Sequence, residues 1–305
     1  MRPPLFEAVP NFSEGRDAEK VERIADSVHA VPGVRVLDLH SDPDHNRSVL
    51  TFAGEEDALL EAAVALARAC TDEIDLSSQT GEHPRVGSLD VLPFVPLGGA
   101  TLEDAVGLAR RVGERLGALG LPVYLYEAAA TAPHRRSLAD LRRGGYEGLA
   151  ARMKDPLWQP DYGPPELDPR TGAVTVGARP FLVAFNAYLD TDDVNVAKAV
   201  ARKVRERDGG LPGVRALGLE VGGRAQVSMN LTDLGATPIP VSLEAVRSSA
   251  AEHGVSVEST ELVGLAPLEA ILQVTRHYLR LRELEKRHIL EAALWGAPED
   301  RGEDR

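Results

Sequence analysis

Val31-Pro32-Gly33-Val34-Arg35 and Leu211-Pro212-Gly213-Val214-Arg215 are two versions of one signal, set in the two halves of the chain. In each, proline and glycine stop a helix and a β-branched residue starts a strand. Upstream of the first, Val21, Ile24, Ala25 and Val28 fall at i, i+3, i+4 and i+7, one face of a helix. Upstream of the second, Val196, Val200 and Val204 mark the corresponding face. Further back, Leu5-Phe6-Glu7-Ala8-Val9-Pro10-Asn11 echoes Phe181-Leu182-Val183-Ala184-Phe185-Asn186, and an acidic turn follows each. Downstream, each copy makes a polar turn and a second strand (47–53 and 225–231), a helix (55–70 and 242–253) and a further strand (89–95 and 255–262). Strand, helix, strand, strand, helix, strand is the split βαβ arrangement. The reading is an α/β (α+β) chain of two similar ferredoxin-like split-βαβ domains. Each is a mixed sheet with helices on one face. The first spans 1–178 and the second 179–298, and 299–305 form a disordered tail.

The first copy carries more. Thr101-Leu102-Glu103-Asp104 has the form of a capping box, and Leu102, Ala105, Val106, Ala109, Val112 and Leu116 make an amphipathic face. A strand over 121–126 follows. Residues 161–172 contain three prolines and two glycines and cannot be regular structure. Structureless segments of that length are functional or disordered, and composition alone makes this one an interdomain linker.

A chain of 305 residues suits two domains of ordinary size, and 43% hydrophobic with 27% charged residues is a soluble composition. No apolar run approaches the roughly 20 residues that a membrane span needs, and MRPPLFEAVPNF lacks the apolar region of a signal peptide. Cys70 is the only cysteine, on the apolar stripe of its helix, so a disulfide framework is excluded and a cytoplasmic compartment is expected. A formal charge of −13 argues against nucleic-acid binding. Anionic ligands then need local cations. Arg142, Arg143, Arg152 and Lys154 form one cluster, or else a solvated helix face.

In Gly81-Glu82-His83-Pro84-Arg85-Val86-Gly87 a histidine stands where a polar loop meets an apolar strand. Pro84 pushes His83 toward an extended conformation, and a strand rim can present an imidazole to a ligand. The alternative is a surface histidine in a turn. In 225–231, Gln226, Ser228 and Asn230 alternate with apolar residues and share one face. That face meets solvent or, if two sheets face each other, lines a polar tunnel with Asn11 and Asn186. Arg47 and Arg85 are the best guanidinium candidates for substrate carboxylates, or they pair with local acids. His40, Asp42, Asp44 and His45 offer metal-ligand atoms in one turn, but a strand–turn–strand segment does not readily converge all four. Asp44 and Asn46 are equally explained as turn-capping side chains. No phosphate-binding glycine fingerprint is present, and no metal is expected.

GEHPRVGSLDVLPFVPL resembles the histidine segment of the glutamate formimidoyltransferases, the formiminotransferase domain family. VPNFSEGR (9–16), HNRS (45–48), PVYLYEAA (122–129), WQPDYGP (158–164), GARPFLVAFN (177–186), AQVSMNL (225–231) and ELVGLAPLEAIL (261–272) resemble further family segments in family order. The resemblance runs from about residue 6 to about residue 284. It implies two sheets facing each other across a ligand tunnel with helices outside, and transfer of a formimidoyl group from N-formimidoyl-L-glutamate to N5 of tetrahydrofolate. It also implies His83 as the proton-shuttling catalytic residue. The loop Gly163, Pro164, Pro165, Glu166, Leu167, Asp168, Pro169, Arg170, Thr171 and Gly172 is then the folate-holding segment. Arg47, Arg85, Asn11, Asn186, Gln226, Ser228 and Asn230 are the substrate-binding candidates. Glu14, Asp42, Asp44 and Asp90 are candidates to stabilise a cationic intermediate, since an aspartate of the family pattern is replaced here by His40. A homodimer is expected, and a separate cyclodeaminase is expected to act downstream. The rival readings are formyl transfer, a folate-binding relative without catalysis, and a metal hydrolase built on 40–45.

Overall fold

The computed structural model describes residues 3–43, 45–79 and 85–295. His83, Asp44 and the tail at 299–305 lie outside the described residues. The chain divides into two compact units, Met1–Pro180 and Phe181–Arg305.

The first unit begins with β1 (Leu5–Ala8) and β2 (Asn11–Phe12), which are one strand interrupted at Val9-Pro10. Helix α1 (Ala18–His29), the hairpin β3 (Val34–Asp42) and β4 (Arg47–Glu55), helix α2 (Glu56–Glu73) and β5 (Leu89–Leu97) complete a split βαβ core. Both β1 and β2 lie between β4 and β5, antiparallel to each, and β3 forms the outer strand beyond β4. Val21, Ile24, Ala25 and Val28 are the buried residues of α1, as their spacing predicts, and the Asp17 side chain caps the helix by accepting from the Lys20 N–H. Gly33 takes the positive φ that the Pro-Gly stop requires.

The additional elements are α3 (Leu102–Ala118), β6 (Val123–Glu127), the short helices α4 (Leu138–Leu141) and α5 (Gly145–Arg152), and β7 (Val174–Ala178). Strand β7 inserts between β5 and β6 and runs parallel to both. The capping box at Thr101 is formed, and Ala105, Leu108, Ala109, Val112 and Leu116 bury the face of α3. One core lies on the α1–α3 side of the sheet. On β5, β6 and the short helices a second, smaller cluster gathers Val86, Val91, Tyr124, Tyr126, Leu141, Leu149, Met153 and Ala173. Strand β7 is not among the strands read from the sequence.

The second unit repeats the core as β8 (Val183–Leu189), α6 (Val194–Val204), β9 (Val214–Val221), β10 (Arg224–Leu231), α7 (Ile239–Ala251) and β11 (Val257–Val263), followed by α8 (Leu268–Leu279) and α9 (Leu290–Trp295). Its order is β11-β8-β10-β9. The expectation of a mixed sheet in each domain is corrected here, because every hydrogen-bonded pair of this second sheet is antiparallel. Strand β10 intercalates between the parallel β8 and β9, and β8 between the parallel β10 and β11, so each helical crossover skips one strand. The first sheet is mixed only through its added strands. Val200 and Val204 are buried on α6 as their spacing predicts, and Val196 is partly buried against the same core.

Candidate active site

In the first unit the polar residues collect at the end of the sheet where β4 begins. Asn11 pairs with Val49 on one side and Val91 on the other, while Phe12 pairs with Leu89. The register therefore slips by one residue on β5, and Asp90 is the residue left over. A bulge re-aims a side chain out of the strand's alternation. Asp90 is 2% exposed. Its Oδ1 accepts from the Val86 N–H at 2.8 Å, and its Oδ2 accepts a short charged bond from Arg142 Nη2, at the end of α4. Sequence reading weighs Arg142 as part of a solvated face. The side chain is instead 11% exposed and paired.

Arg47 opens β4, opposite Asp42. Burial and the neighbouring Arg142 guanidinium press its pKa down, against the opposing pull of Asp90 and Asp42. Asp42 also caps the turn, accepting from the His45 N–H at 3.0 Å and meeting His45 Nδ1 at 2.5 Å. The short turn is thus tied to itself by Asp42, whereas the capping expected of Asp44 falls outside the described residues. Among the described residues no group of three or more His, Cys, Asp or Glu is placed to hold a metal ion.

Glu14 joins this rim from the segment after β2. Its Oε1 accepts from the N–H groups of Gly15, Arg16 and Asp17, and its Oε2 accepts from Gln79 Nε2 at 3.0 Å. Asn46, in the left-handed region at φ 48°, donates to Gln79 Oε1 and accepts from the Gly15 N–H. Gln79 carries no motif signal, and Asn46, within the HNRS segment, is read from sequence as a turn-capping side chain; sequence reading assigns neither to the site. Arg85 donates through Nη2 to the Gln79 carbonyl at 2.7 Å and lies 3.6 Å from Glu147. Both of its open possibilities, a local acid and a substrate carboxylate, thus concern a guanidinium already partly engaged. Asn11 donates to the Val9 carbonyl at 3.1 Å.

The glycine- and proline-rich loop is anchored beside the same segment. Ser88 N–H donates to the Thr171 carbonyl, Ala173 N–H to the Val86 carbonyl, and Leu76 N–H to the Arg170 carbonyl. Tyr146 Oη donates to the Pro169 carbonyl, and Asp168 Oδ1 caps its own turn at the Arg170 N–H. The close approach needs glycine on both sides. A Cβ at Gly87 would lie 1.9 Å from the Ala173 oxygen, and one at Gly172 would lie 2.3 Å from the Val86 oxygen. Gly163, Pro165, Glu166, Asp168, Pro169 and Arg170 remain exposed, Leu167 packs against the smaller cluster, and Thr171 is buried. The loop is an anchored surface of the first unit, not a slack linker.

In the second unit the predicted row shares the sheet face opposite the helices. Val227, Met229 and Leu231 enter the core, while Gln226, Ser228 and Asn230 alternate away from it. Ser228 stands across from Asn186, and Gln226 from Tyr188. Asn186 Nδ2 and Tyr188 Oη both donate to Glu261 Oε2, at 3.1 and 3.3 Å. Cys70 is fully buried, and burial pushes its thiol up, so it is no nucleophile.

Part-buried guanidiniums and the buried Asp90 carboxylate gather at this sheet end, next to an anchored exposed loop. The formiminotransferase domain, N-terminal subdomain, matches residues 5–179, and the formiminotransferase domain matches residues 184–293. The chain is 44% identical to a glutamate formimidoyltransferase of Thermoplasma acidophilum, over 94% of this chain and 96% of that one. It is 38% identical to the glutamate formimidoyltransferase of Streptococcus pyogenes serotype M1, over 96% and 99%. A formimidoyltransferase-cyclodeaminase of Mus musculus is 40% identical over 94% of this chain and 54% of its own length. The chain belongs to the formiminotransferase family.

Proposed function

We propose that the chain transfers the formimidoyl group from N-formimidoyl-L-glutamate to N5 of tetrahydrofolate, releasing L-glutamate and 5-formimidoyltetrahydrofolate. The observation that carries this reading is the family match along nearly the whole chain, to relatives of the same length that bear the transferase name. The amidine carbon of the donor is electrophilic when protonated. N5 attacks it, a C–N bond forms, and the N5 proton passes to a base. The same group then returns a proton to the glutamate nitrogen as the original C–N bond breaks. One imidazole near neutral pKa serves both transfers, and His83 is our assignment for it.

Part-buried arginines receive the carboxylates of the two substrates. Arg47 and Arg85 are our candidates in the first unit, with Asn11 beside them. Asn186, Gln226, Ser228 and Asn230 are the polar contacts of the second unit. The anchored loop 163–172 holds the folate. Residues 1–178 and 179–298 act as its two subdomains, in the cytoplasm, as a homodimer whose product passes to a separate cyclodeaminase. The test is single-turnover transfer by the wild type and His83→Ala, with N-formyl-L-glutamate as comparison donor. We expect rapid formimidoyl transfer that the substitution abolishes. Near-native transfer by His83→Ala removes the shuttle, and folate binding without transfer from either donor overturns the enzyme reading.

A further inference from the structure

Arg142 lies outside every motif that carries the family resemblance, yet its side chain is only 11% exposed and is held by a buried carboxylate. Its partner Asp90 is on a bulge, so the carboxylate is turned out of the strand's alternation to reach both the Val86 N–H and the guanidinium. Around the pair stand Val86, Val91, Tyr126 and Leu141, each no more than 3% exposed. In such apolar surroundings an ion pair stabilises a fold no better than well-packed hydrophobic residues do. Stability is therefore a weak reason for the pair to be there.

The unused donors give a better one. Asp90 occupies Nη2, while the buried Nε–H of Arg142 has no hydrogen-bond partner. Arg85, already a candidate, shares this feature, and Arg135 and Arg152 also have an unpartnered Nε, but the remaining donors of these last two are taken up by the fold. Arg135 binds Asp161 and the carbonyls of Leu157 and Gln159, and Arg152 binds three carbonyls and stacks on Trp158. Arg142 has no such set. Arg47 responds to the charge of both Arg142 and Asp90, which places a second guanidinium in the same neighbourhood.

We propose that Arg142 is a substrate-carboxylate contact and that Asp90 is the positioning residue that holds its guanidinium. This rests on the transferase reading above. Both the amino-acid donor and the folate carry carboxylates, so the shared chemistry is a carboxylate gripped by a prepositioned fork. Asp90 links that fork to the backbone at Val86, three residues beyond His83 in sequence.

The test compares wild type, Arg142→Lys, Arg142→Met and Asp90→Asn in steady-state transfer, with the KM of each co-substrate measured separately and melting temperatures recorded. Loss of a charged hydrogen bond predicts a rise of about 10- to 100-fold in the KM of one co-substrate. We expect kcat to stay within about threefold and the KM of the other co-substrate to hold. A donor effect assigns the carboxylate to the amino acid, and a folate effect assigns it to the folate tail. Arg142→Lys keeps the charge and the pairing with Asp90, so it carries the test if Arg142→Met or Asp90→Asn does not fold. Unchanged KM values for both co-substrates in Arg142→Lys and Arg142→Met overturn the proposal and leave the pair a strut of the fold. If the wild type transfers nothing, the transferase reading fails by itself. Calorimetric binding of L-glutamate and of tetrahydrofolate to wild type and Arg142→Lys then decides: weakened binding of either supports the contact, while equal binding or none by the wild type overturns it.

Discussion

The two units share one βαββαβ plan and differ in what lies beyond its fourth strand. In the first, β5 continues into β7 and β6, and the short helices cover that side. In the second, the corresponding β11 is an edge, exposed along nearly its whole length. Charge follows the difference. Among the described residues the buried Asp, Glu and Arg side chains, Glu7, Glu14, Asp90 and Arg135, all belong to the first unit. The buried polar residues of the second are uncharged: Asn186, Gln226, Thr237, Ser242 and Ser249. A sheet extended and covered on one side can exclude water from ion pairs, and excluded charges must then be paired or bonded. An edge strand leaves its carboxylate, Glu261, in water, where it only orients neighbours. The same topology thus yields buried charge in one unit and, in the other, a hydrogen-bonding face whose carboxylate stays in water.

The strongest way to break this comparison is to remove the two carboxylates in turn. Asp90→Ala strands the Arg142 guanidinium in a buried position and should cost about 3–5 kcal/mol. Glu261→Ala should cost about 1 kcal/mol or less, since only two part-exposed hydrogen bonds go with it. Urea-unfolding midpoints measure both, and equal losses would show that the covered side of β5 has no special status.

Gly87→Ala forces a methyl group onto the Ala173 carbonyl and should cost about 1–3 kcal/mol by overpacking. Because the contact anchors the 163–172 loop, we expect weakened tetrahydrofolate binding in the same protein. Undiminished folate affinity at lowered stability would separate that loop from the folate.

Thr101→Ala deletes the capping box of α3 and should cost about 1 kcal/mol with turnover unchanged, because that helix end carries none of the candidate residues. A matching loss of turnover would extend the site to α3.

The smallest effect concerns Glu7, on the central strand β1. Burial raises its pKa above the ordinary 4.5, against the pull of Arg179. A raised carboxyl pKa means that the folded state holds the proton more tightly. Its contribution is therefore full below 4.5 and is lost as pH rises through the folded value. Glu7→Gln should lose less stability than the wild type between about pH 4.5 and pH 7. Parallel stability profiles for the two proteins would show that Glu7 titrates as it does in the unfolded chain.

Much of this molecule is written locally. Val21, Ile24, Ala25 and Val28 bury one face of α1, Thr101 and Asp104 close their box, and Pro32-Gly33 follows the end of α1 closely, whereas α6 ends at Val204, well before Pro212-Gly213, with a short 3-10 turn between. Such features depend on residues within a turn or two of each other, so periodicity and capping chemistry determine them before any tertiary contact forms. The sequence offers Asp90 as one of four carboxylates that could stabilise a cationic intermediate. Its partner was not legible there. The pairing with Arg142 spans 52 residues of chain, the Gly87–Gly172 approach joins two distant loops, and β7 enters the sheet between strands that precede it. No local spacing encodes such meetings. They follow from which strand slips by one residue and which helix covers it, and only the packed tertiary structure decides that.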